Sequence, residues 1–345
     1  MSFSMPPWVR TLSIIQRHTA HYIYAIFLVF GVTGCCLNIL LLCGRRKFRT
    51  VTCCVYMAAA SIIMLINLSL GIGTTLFLLN PRHFYFLSPT FSRINTYLLQ
   101  VTSMMYRWCL VAASFDRYAL TSTDLNLRNF AKMHVARRTI VIIIVAWIVL
   151  PIHNLIYNTG NMNSSNIYYN APLLYYHSIF TLTAGCIFPA TIMITCAFLT
   201  HHNLVLKQKR RQFIIAQHGG NNIEARDQER RRDRQVLLLL IVQVIVFLIT
   251  IIPLMCSHFY NAMTLNIKNK SIERMTIERF AAYLASLSVY LFPTLSFYLY
   301  TMTSTMFRSE LKKLIRFIVR CNCLRQNVRI EPVGNNIKHR PVTRH

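Results

Sequence analysis

The sequence predicts an all-α membrane protein, a seven-transmembrane helix bundle with a short amphipathic eighth helix. Three observations predict it. Of 345 residues, 54% are hydrophobic and only 14% charged, where a soluble domain carries about 25% charged residues. The apolar residues lie in blocks, seven of which approach or exceed the roughly 20 residues a bilayer-spanning helix needs. The Lys and Arg behind the net charge of +27 sit almost entirely between those blocks, as in a multi-span protein whose loops face anionic lipid or an acidic partner. A soluble nucleic-acid binder is polar throughout, so the blocks argue against that class and no nucleic acid is expected as a partner.

The spans are expected at about 21–43, 53–79, 91–118, 139–156, 173–200, 235–260 and 280–303. Residues 1–20 show no apolar core ahead of a small-residue cleavage site, so the first span is expected to act as the insertion signal. The third span carries Gln100, Thr102, Ser103 and Arg107, and such a helix belongs inside a bundle, away from lipid. Orientation follows from the cations. The loops after spans one, three and five and the C-terminal segment hold twenty-eight of the 37 Lys and Arg. The N-terminus and the remaining loops hold eight. The positive-inside rule then puts the C-terminus in the cytoplasm and residues 1–20 outside. The glycosylation triplets at Asn163 and Asn269 fall in the outer loops of that arrangement.

Beyond span seven, residues 304–323 read as an amphipathic helix lying on the membrane. Phe307, Leu311, Leu314, Ile315 and Ile318 recur at helical spacing and cations fill the other face. Cys321 and Cys323 close it, either as palmitoylation sites or as plain cysteines. Residues 324–345 are expected to form a disordered cytoplasmic tail. The eleven cysteines lie mostly within apolar runs, where Cys behaves as a small hydrophobe. No zinc spacing, nucleophile–base spacing or acid cluster is found, so neither a metal, a cofactor nor an enzyme activity is expected.

The stretch "CLVAASFDRYAL", Cys109–Leu120, ends an apolar helix on Asp116, Arg117 and Tyr118. Placed at the inner end of span three of seven, this tripeptide resembles that of the rhodopsin-like (class A) G-protein-coupled receptors, and the texture is similar to the invertebrate neuropeptide type. Asn38 in span one, Trp147 in span four, Pro189 in span five and Pro253 in span six match family marker positions, and "MFRSELKK" is similar to the start of the family's eighth helix. The resemblance implies a plasma-membrane receptor that passes an extracellular signal to a heterotrimeric G protein. It also implies that Arg117 is held at rest by Asp116 and by an acid at the inner end of span six, here Asp233. Asp233 also has a plainer role, to neutralise Arg230–Arg232 and Arg234. For the family's span-seven Asn-Pro-x-x-Tyr there are two registers, Phe292–Ser296 and Ser296–Tyr300. The spacing to Phe307 favours the second, with Tyr300 as its tyrosine.

Other positions depart from the family. Met64 stands for the span-two Asp, with Asn67 a turn away. Ile251 replaces the span-six Trp and Ala197 the span-five Tyr. Ser92 and a cysteine-free second outer loop remove the usual disulfide. Arg107 sits about 15 Å from Arg117 along the helix, at mid-bilayer, where an uncompensated charge costs several kcal/mol. Its candidate partners are the carbonyl of Gly185, freed by Pro189, and Gln243. It reads either as a structural Arg satisfied by such dipoles or as a switch.

Leu99 occupies the position where amine receptors carry Asp, and span seven has no Lys for retinal, which disfavours both ligands. Tyr168, Tyr169, Tyr175 and Tyr176, with Glu273 and Glu278, form an outer rim suited to a neutral or basic peptide. A lipid, an odorant-like compound or no ligand stay open, as do two readings of the whole chain: a seven-span channel or transporter, and a receptor-like scaffold that does not signal.

Overall fold

The computed structural model describes residues 7–79, 88–157, 171–218, 223–264, 267 and 270–328. In chain order the helices are α1 (Pro7–Gly44), the single turn α2 (Arg46–Arg49), α3 (Thr52–Leu79), α4 (Pro89–Thr121), α5 (Leu125–Phe130), α6 (Met133–Val149), α7 (Ile152–Tyr157), α8 (Ala171–Leu182), α9 (Phe188–His218), α10 (Ile223–Thr264), α11 (Ile272–Thr303) and α12 (Thr305–Val328). A π-helical turn, Thr183–Ile187, joins α8 to α9. No strand occurs among the described residues.

Six of these helical segments are long and apolar enough to cross a membrane by length and composition. The seventh, α4, is too polar to qualify alone, and its surroundings explain how it is tolerated. Neighbouring long helices close a ring: α1 packs on α3, α3 on α4, α4 on α9, α8 and α9 on α10, α10 on α11, and α11 back on α1. Outside that ring α6 lies against α4 and α3, so α4 is wrapped by helices rather than by lipid. The outward face of α6 is apolar, with Val141, Ile142, Val145 and Val149 exposed, as lipid contact requires. At its start Ser88 caps α4 by accepting from the Thr90 N–H, with Pro89 in the first turn.

Apolar side chains fill the ring in two clusters. The larger runs through the middle, around Met64, Leu68, Met104, Leu110, Met193, Phe247 and Phe292. The smaller lies at the end that holds Asp116 and Arg117, around Leu41, Tyr56, Tyr300 and Phe307. Phe307, at the start of α12, sits 5.8 Å from the Phe48 ring and 6.1 Å from Tyr300, and Glu310 reaches Arg45 at 3.7 Å. These contacts fix α12 against the ends of α1 and α11.

The elements differ from expectation in several places, among them α9, which runs on to His218, and α10 and α11, which begin early at Ile223 and Ile272. Span four is two helices instead of one over 139–156, because Pro151 has no N–H to continue the ladder. The break exposes carbonyls, and the Tyr97 hydroxyl donates to Ile148 O at 2.6 Å, tying α4 to α6. Helix α1 begins at Pro7, well before residue 21. Helix α12 continues to Val328, into the stretch expected to start the tail.

One close approach depends on a glycine. Tyr24, Tyr283 and Tyr290 bring α1 and α11 together through edge-on rings 6.1–6.2 Å apart, and the hydroxyl end of Tyr290 presses against Gly71 of α3. A Cβ added at Gly71 would stand 2.8 Å from Tyr290 Cε1 and nearer still to its hydroxyl. Gly71→Ala is therefore expected to destabilise the purified protein by about 1–3 kcal/mol through overpacking. Adding Tyr290→Leu should recover most of the loss in thermal unfolding, and equal melting of wild type and Gly71→Ala would refute the packing account.

Candidate functional site

At one end of the bundle, the last turns of α4 hold Asp116 and Arg117, both more than nine-tenths buried. Consecutive helical side chains do not normally face each other. Arg117 is long enough to fold back, and its Nη2 donates to Asp116 Oδ2 at 2.8 Å. The same Oδ2 accepts from Thr52 Oγ1, also at 2.8 Å, so the first residue of α3 clamps the pair from across the groove. The arrangement is closed but not saturated. Asp116 Oδ1, Arg117 Nε and the Tyr300 hydroxyl are buried there without a hydrogen-bond partner. Tyr118, half-buried, leaves the cluster for the apolar side, with its ring 6.0 Å from Phe115, which in turn meets Phe130 of α5. The side chain of Asp233 lies outside the described residues.

Halfway along α4 is a second polar seam. Pro189, having no N–H, can donate to neither Gly185, four residues back, nor Ala184, five residues back. The π turn ending at Phe188, whose N–H bonds Thr183 O, shifts the ladder at the same place. Two adjacent residues of α4 supply donors. Arg107 Nη1 bonds Gly185 O at 3.1 Å and Trp108 Nε1 bonds Ala184 O at 3.0 Å. Gly185 is also where a side chain has no room, since a Cβ would meet Met104 and come within 3.1 Å of Arg107 Nη1. The seam continues toward the opposite end of α4, where Gln100 Nε2 donates to Thr181 Oγ1 at 3.1 Å. Gln243 is buried on α10, while Arg107 bonds Gly185 instead.

The family marker positions form further joints. Trp147 is buried on α6, with ring centroids 5.8 Å from Trp108 and 6.1 Å from Phe180. Asn38 of α1 donates to Ser296 Oγ of α11 at 3.4 Å, and Ser296 in turn bonds Pro293 O at 3.0 Å. Pro189 is buried and Pro253 exposed on α10. Met64 is fully buried, and Asn67 beside it donates to Thr102 Oγ1 at 2.8 Å and to Leu99 O at 3.3 Å. Leu99 thus contributes its carbonyl to a helix joint, with its side chain half-buried.

At the far end the expected rim looks different. Glu278 does not face outward for a ligand. It bonds Lys270 at 2.8 Å, Arg274 at 3.0 Å and the Tyr260 hydroxyl at 2.8 Å, stapling α10 to α11. The reason is the i,i+4 spacing from Arg274, together with Lys270, which lies just ahead of α11. Glu273 is exposed in the first turn of α11. Tyr176 stacks on Phe180 at 6.0 Å and abuts His153 at 4.9 Å, while Tyr175 is half-buried. Tyr168, Tyr169, Asn163 and Asn269 lie outside the described residues, as do the side chains of Cys321 and Cys323. Among the described residues no group of three or more His, Cys, Asp or Glu is placed to hold a metal ion. Sequence reasoning missed Thr52, Trp108 and the histidines near Phe180, because each gains its role from a residue distant in the chain.

Two findings from comparison complete the picture. No curated protein matches the chain. Residues 34–295 match the family described as 7 transmembrane receptor (rhodopsin family). That stretch holds both polar seams, Asn38 of the α1–α11 joint and the tripeptide at the end of α4. The chain therefore belongs to the rhodopsin family of seven-transmembrane receptors, multi-pass membrane proteins that signal rather than catalyse.

Proposed function

We propose that this receptor carries an extracellular signal, a peptide in the first instance, to an intracellular heterotrimeric G protein. Residues 1–20 would lie outside, 21–303 would form the transmembrane domain, α12 would lie along the inner leaflet, and the segment beyond it would be cytoplasmic. The observation that carries the reading is the Thr52–Asp116–Arg117 cluster. It is a buried ion pair at the end of the most enclosed helix, held by a neighbouring helix, with donor and acceptor capacity left over.

In the resting receptor Asp116 neutralises Arg117 and Thr52 keeps the carboxylate in place. Separating α3 from α4 at this end removes the clamp. Arg117 then exchanges Asp116 for acceptors on the transducer, and Tyr300, buried beside it, offers a further hydroxyl. Coupling free energies of this kind are about 1–3 kcal/mol, enough to keep the active population small without a ligand. Asp233, twenty residues before Pro253 on α10, is proposed as a second acid closing on Arg117.

The peptide assignment rests on the aromatic and amide character of the outer loops. With Glu278 already shared by two cations of its own chain, a basic ligand loses its best partner there. A neutral or acidic one fits the outer charge better.

At matched surface expression, Asp116→Asn and Thr52→Val are each expected to raise ligand-independent second-messenger output by about fivefold or more. Arg117→Ala should bring it down to that of untransfected cells. Three variants that all signal like wild type would exclude coupling through this cluster. Asp233→Ala should add to basal output; an unchanged baseline in an otherwise active receptor leaves Asp233 as a neutraliser of its neighbours. For topology, an N-terminal epitope tag should bind antibody on intact cells, and a C-terminal tag only after permeabilisation.

A further inference from the structure

Arg107 is 1% exposed at mid-bundle, yet its compensation is incomplete. A guanidinium has five N–H donors and cannot give up its proton in a protein. Here Nη1 has the Gly185 carbonyl and Nε has no partner. The Tyr106 ring lies to one side, 5.7 Å from the guanidinium carbon, and its hydroxyl hydrogen-bonds the guanidinium, a neutral partner that supplies no full countercharge. Asp116, the one carboxylate within the expected spans, is nine residues away, about 13 Å along α4, and is committed to Arg117 and Thr52.

The surroundings add positive or neutral groups only. His258 of α10 lies within electrostatic reach of Arg107. The His258 ring is 6.4 Å from His177 of α8, which is 6.2 Å from His153 of α7. His177 Nδ1 and His153 Nε2 are themselves buried without partners. On α8 and its π turn, His177, Thr181 and Gly185 recur every four residues and so share one face. That face meets Gln100 and Arg107 of α4 through the bonds already described. A column of polar groups thus runs from the histidines to Arg107 with no acid in it. Burying a cation without a counter-ion costs several kcal/mol, and one backbone carbonyl with one phenol dipole offsets only part of that.

We propose that Arg107 forms an anion-binding site inside the bundle, on the side that leads to His258 and then His177, which takes either a halide ion or the carboxylate of a ligand. An anion there would accept from Arg107 Nε, would lie toward the His258 imidazole and would neutralise the enclosed charge. The seam between α4 and the π turn would then be strongest when the site is filled. The site belongs to the ligand-responsive part of the proposed receptor, but the proposal stands on the fold alone and is read out without signalling.

The test uses the purified full chain in lipid nanodiscs, melted at fixed ionic strength while chloride replaces isethionate, and separately while hexanoate does. A saturable rise of about 2–8 °C is expected. It should vanish in Arg107→Gln and need severalfold more anion in His258→Gln. Stabilisation by chloride assigns the site to a resident ion, and stabilisation by hexanoate alone assigns it to the acid end of a ligand. If neither anion shifts the wild-type melting curve, or if the shift persists in Arg107→Gln, the site does not exist. If Arg107→Gln fails to fold, an unchanged anion requirement in His258→Gln overturns the site in its place. Loss of G-protein coupling in cells leaves this result untouched, so the two readings fail separately.

Discussion

The pyrrolidine ring of Pro189 removes a backbone donor in the middle of a membrane-crossing helix, and much of the bundle's interior is arranged around that vacancy. Lipid offers no hydrogen bonds, so the carbonyls of Ala184 and Gly185 must be satisfied by protein. Arg107 and Trp108 do this from α4. Their positions fix the axial register of α4 against α8 and α9. Trp108 then carries Trp147 and Phe180 with it, which seats α6 on the outside of the ring. A side-chain change at any of these points moves a helix interface, because the interior has no solvent to absorb the loss.

The same rule shapes the end of α4. Asp116 and Arg117 are enclosed, so they need each other, and they need Thr52. Their partnership is local in sequence but its support comes from α3. It also leaves capacity unused, at Asp116 Oδ1, Arg117 Nε and Tyr300. A cluster satisfied fully from within would have little to offer a binding partner. One satisfied in part can exchange partners at modest cost, which suits a switch. The staple of Glu278 with Lys270, Arg274 and Tyr260 works differently. It is partly exposed and screened, and its effect is to hold α10 and α11 together at the opposite end.

Much of this was legible in the sequence. Seven apolar blocks with cations between them dictated a helical bundle in a membrane. The polar third block had to be the enclosed one, and it is. Pro189 identified Gly185 as a free acceptor for Arg107, because a missing N–H four residues on is a covalent fact. The break at Pro151 had the same covalent cause, although hydropathy continues smoothly across it. Glu278 read as an acid open to a ligand, because side-chain rotation on α11 and the placement of Lys270 and Tyr260 decide whether their groups reach it.

Chain chemistry by itself determined which segments cross the bilayer, which helix is hidden, where prolines release carbonyls, and where charge is stranded at depth. Those are properties of individual side chains and of the backbone against a solvent without hydrogen bonds. Only the packed bundle decided which groups answer them. The choice of Gly185 for Arg107, Ala184 for Trp108, Thr52 for Asp116 and Tyr290 for the gap at Gly71 depends on helix register and rotation. Those are set to within an ångström by many weak contacts summed over the interfaces, and no single position encodes that sum.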